Sequence, residues 1–160
     1  MTLIGYVTLD EANTYVQEHY TLEDNDRIFW ENLSDDSKAV YLRNSFESIE
    51  RLPFAGRKTN PEQVTAFPRF PSTEIPLDIK YAQIENAVSL NAQSSSADTA
   101  FDSSFYQQMQ LYGISSYSIG NLSESLSDRS TNVFVSSGIV SYKASNLLGP
   151  FLNGGYKIAR

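Results

Sequence analysis

Four cations, Arg51, Arg57, Lys58 and Arg69, crowd one stretch of an otherwise acidic chain. Side chains of this type form charge-assisted hydrogen bonds to carboxylates and phosphates. Two uses stay open on the sequence. Arg69 pairs with a local carboxylate and braces the loop, or this edge touches an acidic neighbour or DNA phosphates. The other residues able to do chemistry stand apart from one another. His19, the one histidine, falls near the end of a predicted helix, where a positive charge suits the negative end of the dipole. It has only Glu18 and Glu23 near it in sequence, so it reads as a surface cap rather than a ligand or a base. Asp35 and Asp36 follow Ser34 at a predicted helix start, where carboxylates are expected, and no second acidic or histidine cluster accompanies them. The serines lack a Gly-x-Ser-x-Gly elbow and a paired base. No Walker or dinucleotide glycine motif is present, and Gly154-Gly155 reads as a hinge. With no cysteine, disulfides, thiolate catalysis and cysteine-based metal sites are removed together. The expectation is a protein that is not an enzyme, with no catalytic residue, no cofactor and no metal.

The stretch that holds the cations runs from Pro53 to Ile75-Pro76. Its prolines fix φ and bias the residues before them away from helical geometry, which predicts an extended connector between two helices. Phe54, Phe67 and Phe70 are expected to anchor it to those helices. Upstream, Thr8-Leu9-Asp10-Glu11 reads as a capping box opening a helix over about residues 9 to 20, with Leu9, Ala12, Val16 and Tyr20 on one stripe. Residues 21 to 34 read as irregular around the apolar knot Ile28-Phe29-Trp30, with Trp30 in the core. A second helix runs from Ser34 to about Leu52, burying Ala39, Leu42, Phe46 and Ile49 and leaving Lys38, Arg43, Glu47 and Glu50 partly solvated. After the connector, Leu77, Tyr81, Ile84 and Val88 mark an amphipathic helix to about residue 93.

Beyond residue 93 the chain becomes polar and Ser/Tyr-rich, with ragged strand-like pieces at Met109 to Tyr112, Tyr117 to Leu126 and Asn132 to Val135. A last helix is expected from Gly138-Ile139-Val140 to Leu148, with Val140, Ala144, Leu147 and Leu148 inward and Gly149-Pro150 as its stop. The fold class read from this pattern is mainly α: a small helical bundle with a β-like insertion and an extended C-terminal tail. The expected divisions are an N-terminal bundle over 1–96, an arm or insertion over 97–136, and a C-terminal helix with docking tail over 137–160. Ten tyrosines and nine phenylalanines suggest many half-buried or interface rings. A start without a basic region before an apolar run, and no apolar run of spanning length, point to a soluble chain made in a cytoplasm, with no membrane partner. A net charge of −7 argues against sequence-independent DNA binding, which draws most of its affinity from Lys and Arg neutralising phosphates.

Phe54, Gly56, Gln63, Phe67-Pro68-Arg69, Ile75-Pro76 and Ala82 follow one another in an order that resembles the DnaT-like single-stranded-DNA-binding family of tailed phages. The family usually carries Trp where this chain has Phe54. The resemblance extends to Tyr6-Val7-Thr8-Leu9, Ala12-Asn13 and Tyr15 at the start, and to Ile119 to Ser123 and Leu147-Leu148-Gly149-Pro150-Phe151 near the end. Those proteins look like the head-to-tail connector, or adaptor, proteins of the virion neck. The resemblance therefore implies a structural protein forming a roughly dodecameric ring of its own copies. It would bind a portal protein on one side and a stopper or tail component on the other, and let DNA pass during ejection without specific binding. It also implies assembly in the host cytoplasm and residence in the virion. On this reading Phe54, Gly56, Phe67, Pro68 and Arg69 position the loop. Asn153, Gly154, Gly155, Tyr156, Lys157, Ile158, Ala159 and Arg160 would dock on the neighbouring ring. The alternative is a single-stranded-DNA binder acting in replication, with Tyr106, Tyr112 and Tyr117 stacking bases along a basic groove.

Overall fold

The computed structural model describes residues 3–95, 116–119, 122–125 and 132–152. Strands β1 (Leu3–Ile4) and β2 (Val7–Thr8) form an antiparallel hairpin with Ile4 opposite Val7. Its turn needs Gly5, whose φ is +75° and whose absent Cβ would lie 2.5 Å from the Phe46 ring. Helix α1 (Leu9–His19) opens on the expected capping box, with Thr8 Oγ1 accepting from Glu11 N and the Glu11 carboxylate accepting from Thr8 N. Helix α3 (Asp35–Glu50) opens on Ser34, whose hydroxyl accepts from Ser37 N. The mainly helical bundle is as predicted.

Between them the structure corrects one expectation, because Asn25–Glu31 is a helix, α2. It is only 7 residues long with Trp30 alone buried, so it has no stripe for periodicity to detect. Tertiary contacts hold it instead. Arg27 donates to Tyr20 O (2.9 Å) and Gln17 O (3.2 Å) at the end of α1, and Trp30 Nε1 donates to Asn13 Oδ1 (3.1 Å). Lys38, expected to be partly solvated, is buried with its ammonium 5.9 Å from the Trp30 ring centroid.

Helix α4 (Leu77–Ser95) is the axis of the molecule, packed against α2, α3 and the last helix. The amphipathic stripe expected for it is incomplete. Leu77 is exposed and residues 82–88 are buried on every side, polar ones included. Gln83 Oε1 accepts from Tyr6 N (2.9 Å), and its Nε2 donates to Ile4 O (2.7 Å) and Leu42 O (2.9 Å), tying the hairpin and α3 to α4. Glu85 accepts from the Tyr15 hydroxyl (2.8 Å) and the Tyr20 hydroxyl (2.6 Å), and lies 3.7 Å from Lys143 Nζ. Asn86 Oδ1 accepts from Val140 N (2.8 Å) and Ser141 N (3.3 Å). One helix thus carries polar ties to the hairpin, to α1, to α3 and to the segment that opens the last helix.

Beyond α4, β3 (Ser116–Ile119) and β4 (Leu122–Ser125) pair antiparallel inside the segment predicted to be strand-like. Asn132–Ser137 is helical (α5), not a strand, because Phe134 is buried in the core and Ile139 N closes the turn on Phe134 O at 2.9 Å. The last helix, α6 (Tyr142–Leu148), starts later than Gly138, since Ser141 is its N-cap. Val140 and Leu147, expected inward, are half-buried, while Ala144 and Leu148 are in the core. A 3-10 turn, Gly149–Phe151, follows. Met109 to Tyr112 lies outside the described residues. No helix among the described residues is long and apolar enough to cross a membrane.

Candidate nucleic-acid interface

The 53–76 connector joins α3 to α4 and is fixed from three directions. From below, Phe67 is buried and meets Phe54, Phe151 and Tyr6 edge-on, at centroid separations of 4.7, 5.7 and 6.0 Å. From the side, Phe54 pairs with Leu152 in an isolated antiparallel bridge, and Ala55 N donates to Phe151 O at 2.7 Å. From α3, the Glu50 carboxylate accepts from Ala66 N (2.8 Å) and from the Tyr6 hydroxyl, which itself accepts from Phe67 N (3.2 Å). Burial, then the hydrogen bond to Glu50, push the Tyr6 phenol well above its ordinary range.

Inside the connector the chain doubles back as a short ladder. Lys58 bridges Arg69, Thr59 N donates to Pro68 O (3.2 Å) and Phe70 N donates to Arg57 O (3.0 Å). Arg69 staples this ladder by donating to the carbonyls of Ala55 (2.6 Å), Phe54 (3.1 Å), Ala66 (3.2 Å) and Gly56. Where the sequence reading gave Arg69 a local carboxylate, the structure gives it carbonyls, with no carboxylate among its partners in the described residues. The reason is geometric, because a loop that turns this tightly aims its carbonyls inward, where a planar fork satisfies several at once. Gly56 permits the turn with a φ of +77°. Gln63 supports it, its Nε2 donating to Pro68 O (2.8 Å) and Thr65 O (3.0 Å). Phe54, Gly56, Phe67, Pro68 and Arg69 are therefore brought together in one unit.

Phe70 is not the anchor that was expected. Its ring is 56% exposed and carries the Arg57 guanidinium 4.3 Å from its centroid. An exposed cation–π contact of this kind contributes about 0.5–1 kcal/mol. Lys58 is occupied otherwise, donating to Gln63 O and Val64 O, both at 3.1 Å. Arg51 makes a loose, exposed ion pair with Glu47 at 4.0 Å. Arg57 and Phe70 are 13 positions apart, so only the ladder reveals the pair. The open end of the ladder can present a flat apolar face and a cation to a ligand together.

The remaining candidates stay apart from this pair. His19 stacks on Tyr15 at 3.9 Å and its Nδ1 lies 3.0 Å from Tyr15 O at the end of α1, in keeping with a cap. Asp35 and Asp36 stand in the first turn of α3. Among the described residues no group of three or more His, Cys, Asp or Glu could hold a metal ion. Asn153 to Arg160, Tyr106 and Tyr112 lie outside the described residues, and Tyr117 lies on β3.

A family model described as "Putative DnaT-like ssDNA binding protein" matches residues 5–160. The chain belongs to this family. No curated protein and no solved structure matches it. The family match corrects the expected description of the chain as a virion head-tail connector, adaptor or portal-binding neck part. The model that spans the chain is described by single-stranded DNA, and nothing in the comparisons brings in a connector. Of the two readings made from sequence, the match favours the DNA-binding alternative.

Proposed function

We propose that the chain binds single-stranded DNA at the open end of the connector's ladder, with the Phe70 ring as the base platform and Arg57 as the cation. The observation that carries this reading is the exposed Phe70 ring with a guanidinium against it, on a ladder stapled by Arg69. Base-on-ring stacking contributes about 1–3 kcal/mol per base, tolerates any sequence and needs an unpaired base. Membership in a family described by single-stranded DNA binding supports it. The net charge of −7 keeps the contact local, because the rest of the surface repels phosphates. Binding is therefore weak, favours single strands over duplex, and shows best at low salt.

The test is retention of a labelled oligothymidylate at low salt by the wild-type chain and by a variant carrying Arg57→Ala and Phe70→Ala together. Retention should be lost in the variant while its thermal unfolding stays close to wild type. Equal retention by both proteins would remove the DNA contact from Arg57 and Phe70.

A further inference from the structure

The Arg57 guanidinium lies over one face of the Phe70 ring, a face on which a base would stack. Arg57 is exposed, and among the described residues its guanidinium has no hydrogen bond or ion pair, only the ring. The neighbouring cations differ. Arg69 spends its donors on four carbonyls and Lys58 spends two of its three on the Asn60 to Val64 turn. The backbones beneath the pair are pinned by Phe70 N donating to Arg57 O and by the Lys58–Arg69 bridge. The Arg57 side chain can therefore leave the ring without any change in the loop.

We infer that Arg57 is a removable cover on Phe70: an unpaired base displaces the guanidinium from the ring, and the freed guanidinium pairs with that nucleotide's phosphate. The inference rests on the single-stranded-DNA reading and gives it a mode. Exchange is favourable because base stacking on a ring outweighs an exposed cation–π contact, and because the displaced cation gains an oxyanion fork in return. Arg57 is the cation of the ladder whose donors are uncommitted, and the exchange gives it one phosphate. That sets a shallow salt dependence, with log K falling against log salt with a slope of about −0.7.

The exchange makes Arg57 both a ligand and an obstacle, which a fixed contact would not be. Anisotropy of a labelled oligothymidylate, read from about 20 to about 200 mM salt, separates the two roles in the full chain. Arg57→Ala should bind more weakly than wild type at the lowest salt, match it within about twofold at the highest, and show a slope near zero. Phe70→Ala and Phe70→Leu should each lose about tenfold at every salt, with Leu retaining the apolar bulk that keeps the loop intact. Three results would overturn the exchange. Arg57→Ala could lose the same factor at all salt concentrations, Phe70→Leu could bind like wild type, or the wild-type slope could be steeper than about −2. In each of these cases DNA binding itself would stand. No binding by the wild-type chain at any salt would instead remove the DNA reading, and the exchange with it.

Discussion

The Tyr6 hydroxyl donates to the Glu50 carboxylate and accepts from Phe67 N, so one phenol joins the first hairpin to the end of α3 and to the connector. Tyr6→Phe keeps the ring packing and leaves Phe67 N without an acceptor. A buried, charge-assisted bond of this kind implies a loss of about 1–3 kcal/mol, to be read from the urea midpoint at unchanged slope. A midpoint equal to wild type would mean that the phenol contributes nothing to holding the connector.

Gln83 satisfies three backbone groups from two other elements. Gln83→Leu is close in size but pairs with none of them. The expected cost is about 3 kcal/mol or more, above that of an ordinary surface change, because several buried groups lose partners together. Thermal unfolding checks it, with Gln83→Glu as a companion that keeps the acceptor for Tyr6 N and loses both donations.

Tyr15 and Tyr20 share Glu85, and burial, foremost among the causes, raises both phenols above their ordinary value, as it does for Tyr6. A group whose folded pKa is raised contributes stability that is full below the unfolded value and is lost as pH rises toward the folded one. The unfolded value is 10.0, so stability should begin to fall above about pH 10. Each such phenol adds at most about 1.36 kcal/mol per pH unit to that loss. Urea midpoints at rising alkaline pH test this, and Tyr15→Phe should make the slope shallower.

The acid side should respond less. Glu11 has its carboxyl held below the usual range, first by the hydrogen bond from Lys80 at 2.8 Å and also by Thr8. A depressed folded pKa contributes stability above the unfolded value of 4.5 that is lost as pH falls through the folded one. The Glu11 side chain is 44% exposed, so solvent screening keeps the Lys80 contact within about 0.2–1 kcal/mol. Thr8→Ala should cost more at neutral pH, about 1 kcal/mol, because it breaks the capping box itself. Melting curves of Lys80→Ala and Thr8→Ala at neutral and acid pH would show whether the cap outranks the ion pair.

Arg69 holds four carbonyls of the connector, and Lys cannot reproduce that fork. Arg69→Lys should leave the bundle cooperative but speed amide hydrogen exchange at Thr59 and Phe70, whose N–H groups form the ladder. Protection equal to wild type at both amides would show that the ladder stands without its staple.

Local patterns were legible where the physics was local. The Thr8 capping box, the Ser34 N-cap and the helix ending before Pro53 each depend on residues within one turn of one another. Phe54 and Phe67 as anchors, and Arg69 as a brace, were also legible from a proline-rich stretch with few other apolar residues. Helix α2 was not, because its stability comes from Arg27 and Trp30 reaching α1 rather than from any stripe of its own. Phe70 looked equivalent to Phe54 and Phe67, and burial alone distinguishes them.

By itself, the sequence determined the mainly helical class, the starts of the long helices, the stiffness of the connector and the family. These follow from caps, periodicity and proline, which act over a few residues. Only the tertiary structure decided that Gln83, Glu85 and Asn86 face inward as the ties of the bundle, since buried polar residues are identified by partners up to 79 positions away. It likewise decided which of the crowded cations is uncommitted. Arg57, Lys58 and Arg69 have similar charge and neighbouring positions, and the path of the loop's carbonyls satisfies Lys58 and Arg69 while leaving Arg57 on the Phe70 ring.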